Sequence, residues 1–125
     1  SDSPTAEAVR AGYARALAAL GLAGTEPPVA SVSADRDPAL FERSALAVRS
    51  AVREGRASAV LVHNDEEAIR LVRRLAELGV RVPEDLALIT YDDEVAALAD
   101  TPLSAVAPPK REVGRAAAEL LVERL

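Results

Sequence analysis

No cysteine occurs in the 125 residues, so disulfide frameworks, thiolate metal sites and thiol nucleophiles are all excluded. A single histidine, His63, leaves too few imidazole ligands for an ordinary zinc site. There is no basic excess either: 15 Lys+Arg against 20 Asp+Glu give a net charge of -5, which opposes a phosphate backbone unless the basic groups cluster. They do not, because Arg70, Arg73 and Arg74 share one helical stretch with Glu66, Glu67 and Glu77 and read as a solvated, charge-balanced face. The chain itself is therefore not expected to bind DNA. No apolar run reaches the length of a membrane span, and Ser1-Asp2-Ser3-Pro4 has neither the basic start nor the apolar core of a secretory signal. Internal repeats and low-complexity tracts are missing, and a chain of 125 residues is expected to form one domain around one core.

Strands and helices alternate in the pattern that remains. Val9, Tyr13, Leu17 and Leu20 recur at helical spacing between Thr5 and Leu22, with Gly21 as a stop. Pro27-Pro28 interrupts, Val29 to Val32 is a short strand candidate, and Asp37-Pro38 supplies a cap and first-turn proline to a helix ending near Gly55. Ser58 to Val62 is nearly all apolar, as in a parallel strand covered on both faces. Asn64 and Glu67 form a capping box for a helix carrying Ile69, Val72, Leu75 and Leu78 up to Gly79. Strands follow at Leu86–Tyr91 and near Ser104–Ala107, and a last helix over Glu112–Leu125 shows Val113, Ala117, Leu120 and Leu121 on one stripe. Such alternation implies βαβ units and a mainly parallel sheet in an α/β three-layer sandwich, with helices on both sides.

Two of these strands end in polar tips, Val62-His63-Asn64-Asp65 and Thr90-Tyr91-Asp92-Asp93. In a parallel α/β sheet such tips lie at the carboxyl edge, where ligands bind. Asn64 offers a donor and an acceptor and Asp92 a pure acceptor, a combination suited to hydroxyl-rich molecules. Each has a plainer reading: Asn64 as a helix cap, and Asp92 with Asp93 as an Mg²⁺ or acid/base pair. Adjacent strand residues point apart, which argues against the pair. Asp65 is assigned to the turn and the helix dipole, and Glu94 to solvent. His63 is either a structural histidine or a pH-sensitive contact.

The runs Leu61-Val62-His63-Asn64-Asp65-Glu66, Leu78-Gly79-Val80-Arg81-Val82-Pro83-Glu84-Asp85 and Ile89-Thr90-Tyr91-Asp92-Asp93 resemble the effector-binding region of LacI/GalR-type transcription regulators. So do Thr101-Pro102-Leu103-Ser104-Ala105-Val106, Gly114-Arg115-Ala116-Ala117 and the opening Ala11-Gly12-Tyr13. The resemblance covers almost the whole chain. It implies a periplasmic-binding-protein-like fold of type I, with 1–107 as the C-terminal subdomain and 108–125 as a crossover segment and terminal helix. The DNA-binding domain and the first subdomain would lie outside these residues.

It further implies a cytoplasmic regulator, not an enzyme, with no cofactor. The expected function is the ligand-sensing part of a DNA-binding repressor that responds to a sugar or nucleoside-like effector as a homodimer and contacts operator DNA only through the outside N-terminal domain; the alternative is a sugar-binding protein of a transport system. Asn64 and Asp92 match the family's effector contacts. Family members commonly place a ligand-reaching arginine three residues before Gly12, where Val9 stands; Arg10 is one position and about 100° round the helix, and joins the candidate set beside His63. Pro108 replaces a frequent glutamine, and near Arg36 no stacking aromatic is evident unless Phe41 reaches the cleft; Phe41 is assigned to the core. In the family the last helix tends to pack back on the first subdomain, so its apolar face around Val113, Leu120 and Leu121 is expected to promote self-association or domain swapping here.

Overall fold

A computed structural model describes residues 4–22 and 37–125. The strand candidate Val29–Val32 and Arg36 lie outside the described residues. Helix α1 (Pro4–Ala19) is closed at Gly21. Helix α2 (Pro38–Arg53) begins where Asp37 caps it, Oδ1 accepting from the Ala39 N–H at 2.9 Å and the Leu40 N–H at 3.4 Å. Pro38 adds a first-turn residue whose missing N–H is no loss. At the other end Gly55 takes φ 70°, and the Arg56 N–H returns to the Ala51 carbonyl at 2.8 Å, a left-handed stop that glycine adopts without a Cβ clash.

Strand β1 (Ala59–Val62), helix α3 (Asp65–Glu77), strand β2 (Ala87–Tyr91) and strand β3 (Ser104–Val106) follow, and helix α4 (Lys110–Glu123) closes the chain. A 3-10 turn, Ala96–Leu98, precedes β3. The sheet order is β1-β2-β3 with both pairs parallel, Leu61 beside Ile89 and Ile89 beside Ser104. The terminal helix starts at Lys110, not Glu112, because Pro109 can occupy its cap position and the Val113 N–H reaches the Pro109 carbonyl at 2.9 Å.

One face of the sheet carries the core. Ala45 and Val48 of α2 meet Leu71 and Leu75 of α3, with Val80 and Leu86; a second cluster joins Ala68, Leu88, Ala96 and Leu103. Val60 and Val62 pack against both. The buried arc of α3 is thus Ala68, Leu71 and Leu75, and Ile69 and Val72 flank it as partly buried residues. Phe41 packs against the core, and the Arg70 guanidinium lies 4.5 Å from its ring centre, which accounts for it without a ligand. Arg74 binds both Glu42 oxygens, at 2.6 and 2.9 Å, and ties α2 to α3; it also reaches Glu77 at 2.7 Å. With Arg70 on Glu67 and Arg73 on Asp100, the arginines of α3 form the charge-balanced face that composition suggested.

The other face of the sheet is less covered. Leu61, Ile89 and Val106 are 37 %, 48 % and 50 % exposed, and neither α1 nor α4 buries any residue. On α4, Val113, Leu120, Leu121 and Val122 are all exposed. Unpaired apolar surface of this extent drives association. Light scattering at high micromolar concentration is expected to give a mass above that of one chain. The double variant Leu120→Glu, Leu121→Glu should return it to the single-chain mass, and an unchanged mass would show that α4 is not the contact.

Candidate functional site

Because β1 and β2 run in the same direction with Val62 beside Thr90, His63-Asn64 and Tyr91-Asp92 emerge together at the carboxyl edge. Thr90 is fully buried, its hydroxyl 3.4 Å from the Val62 carbonyl, so the two tips are joined from beneath. Asn64 is the N-cap of α3: its Oδ1 accepts the Glu67 N–H at 2.8 Å. The Glu67 carboxylate accepts from Arg70, so the capping box is made through its asparagine half. With Oδ1 committed, the Asn64 amide can still donate to a ligand.

Asp92 is placed by the backbone. Its N–H reaches the Val106 carbonyl at 2.9 Å, and the chain then leaves the sheet with φ 112° at Asp92 and 40° at Asp93. Non-glycine residues in such conformations cost about 1–3 kcal/mol each and persist only where the surroundings enforce them. Asp65 anchors the segment that follows directly. Its Oδ2 accepts the N–H groups of Glu94, Val95 and Ala96 at 2.6, 2.5 and 3.1 Å. Asp65 is 2 % exposed; burial raises its pKa, but these N–H groups, led by Val95 and Glu94, outweigh that and leave it lowered. The turn that Asp65 serves is therefore the one after β2, not only its own.

The Asp92 carboxylate is paired. Lys110 Nζ lies 2.6 Å from Asp92 Oδ1 and 2.5 Å from Glu94 Oε1, so Glu94 is ion-paired although exposed. The hydrogen bonds to Asp92 and then Glu94 raise the lysine pKa and hold it charged. Beside this cluster, the His63 and Tyr91 rings stack with centroids 5.8 Å apart and planes 11° apart. Both continue the side-chain row of Leu61 and Ile89, on the less covered face. Tyr91 and Lys110 were not among the residues that the sequence singled out; the available signal for Lys110 was its being the one lysine of the chain. Arg10 lies exposed on α1. The structure thus gathers His63, Asn64 and Asp92 at one edge, with Arg10 on a separate helix. Among the described residues no group of three or more His, Asp or Glu side chains is set to hold a metal ion. No described helix is long and apolar enough to cross a membrane.

A parallel sheet whose carboxyl edge gathers polar side chains is the arrangement in which α/β domains bind ligands. Residues 1–125 match the periplasmic binding protein-like domain family, and the chain belongs to it. The HTH-type transcriptional repressor PurR of Vibrio campbellii is 37 % identical over 116 residues, which cover 92 % of this chain and 34 % of that protein. The PurR repressor of Vibrio atlanticus is 47 % identical over 73 residues, 58 % of this chain and 22 % of that protein. The crystal structure of the lac repressor dimer bound to operator and the anti-inducer ONPF superposes with a TM-score of 0.72 at 25 % identity, over 95 % of this chain and 34 % of that one. The resemblance to a LacI/GalR-type effector-binding region stands on these matches. The chain spans about a third of the length of the first of these repressors.

Proposed function

We propose that this chain is the ligand-sensing part of a DNA-binding transcriptional repressor, with residues 1–107 as the C-terminal subdomain of its effector cleft and 108–125 as the crossover and terminal helix. The observation that carries this reading is the convergence of Asn64 and Asp92 at the carboxyl edge in a chain similar to PurR repressors over 92 % of its length. The effector is a sugar or nucleoside-like metabolite, and Asn64, Asp92, His63 and Arg10 are its candidate contacts. The whole protein works as a cytoplasmic homodimer and reaches operator DNA through a helix-turn-helix segment. Effector bound between subdomains shifts the population of DNA-competent states by its differential affinity for them. The relatives named above are all repressors, which favours this reading over a transport protein.

Calorimetry of the full-length gene product with a panel of neutral sugars and nucleosides, paired with operator anisotropy, tests this. The expected result is a member that binds and changes operator affinity by at least about 5-fold, the lower end of ordinary allosteric coupling. Binding that leaves operator affinity unchanged would sink the regulator reading.

A further inference from the structure

We propose that Lys110 is itself an effector-binding residue, acting with Asp92 as a joined donor and acceptor that selects a neutral ligand bearing a hydroxyl group. This rests on the reading of the carboxyl edge as an effector site. Lys110 Nζ sits 2.6 Å from Asp92 Oδ1 and 2.5 Å from Glu94 Oε1, and the side chains of Lys110 and Asp92 are 48 % and 32 % exposed, so the pair is formed yet accessible. An ammonium has three N–H donors; two serve Asp92 and Glu94, and one remains. A carboxylate has two oxygens; Lys110 holds Oδ1, and among the described residues Oδ2 remains. One acceptor and one donor side by side are what a hydroxyl satisfies, donating to Oδ2 and accepting from Nζ.

Charge narrows the class. The ion-paired cluster sets two carboxylates, Asp92 and Glu94, against one ammonium, with Asp93 next in sequence, and this local excess of negative charge disfavours phosphorylated or carboxylated ligands. Position adds a consequence. Lys110 is the first residue of α4, and among the described residues its two ion pairs are the polar side-chain links from α4 to the sheet edge. A hydroxyl held by the pair therefore touches the β2 tip and the start of α4 together.

The chain contains one lysine, so incorporation of ¹³C,¹⁵N-lysine labels Lys110 alone and leaves its three N–H donors in place. NMR titration of the labelled chain with D-ribose, D-glucose, adenosine and ribose 5-phosphate reads even millimolar binding. The expected result is a neutral member that shifts the Lys110 Cε–Nζ signals, with ribose 5-phosphate weaker than ribose. Followed by backbone amide shifts, Lys110→Met should bind that member about 10-fold more weakly, as for loss of a hydrogen bond to a charged group, and Lys110→Arg should recover to within about 3-fold. A deoxy analogue lacking the bound hydroxyl should show no such difference between wild type and Lys110→Met, which a merely structural lysine would still produce. Wild-type affinity in Lys110→Met together with lost affinity in Asp92→Asn would overturn the role of Lys110 and leave the effector site standing. A panel in which no neutral member binds would overturn both, and tighter binding of ribose 5-phosphate than ribose would overturn the ligand class.

Discussion

Asp65→Ala is expected to lower the unfolding free energy by about 3 kcal/mol, a large share of the 5–15 kcal/mol typical of a domain. The carboxylate is 2 % exposed and accepts three backbone N–H groups from the turn after β2. Its removal deletes charge-assisted hydrogen bonds and leaves the partly buried Val95 and buried Ala96 N–H groups without the acceptor they face. Asp65→Asn keeps an oxygen of the same shape without the charge and should lose less. The pH dependence follows in sign. The folded pKa is lowered, so the unfolded chain takes up the proton first. The stabilisation is complete above the ordinary aspartate value of about 3.9 and is lost as pH falls through the folded value. Urea unfolding at neutral pH and near pH 3 should show wild type losing more stability than Asp65→Asn on acidification. An Asp65→Ala variant within about 1 kcal/mol of wild type would mean that the turn finds another acceptor.

Asp92→Asn in the full-length protein is expected to weaken effector binding by roughly 10- to 100-fold, with thermal stability nearly unchanged. The amide keeps the shape that fits φ 112°, and asparagine tolerates positive φ about as well as aspartate does. What it removes is the charge that holds Lys110 and the acceptor left over for ligand. Calorimetry with whichever panel member binds wild type checks this, and wild-type affinity in the variant would remove Asp92 from the site. A large fall in melting temperature would instead assign Asp92 a structural task.

Local chemistry was the most legible part of the sequence. Asp37 before Pro38 and Asn64 before Glu67 act within four residues of themselves, and both cap their helices as their spacing indicates. The strands at β1, β2 and β3 were legible from apolar runs and bounding turns, to within a residue or two at their ends. The task of Asp65 was not. Its partners are backbone N–H groups 29 to 31 residues away, which carry no side-chain signature. Lys110 carries no local signal beside Arg111 and Glu112, because its partners Asp92 and Glu94 lie 16 to 18 residues back and meet it only in the folded chain. The face of the sheet bearing Leu61 and Ile89 reads as core by composition, since apolar patterning reports what a strand can bury and not what arrives to cover it.

The three N–H groups gathered on Asp65 bear on how the edge responds to a ligand. Asp65 is the first residue of α3 and Asn64 caps that helix, so the β1 tip, the β2 tip and the start of α3 are bonded into one piece. An effector meeting this edge finds it already ordered, and little of its binding energy is spent on immobilising loop residues. Amide exchange at Val95 and Ala96 should accordingly require the opening of α3 itself, not fraying of the turn. An effector bound at the proposed half-cleft would meet a preassembled block.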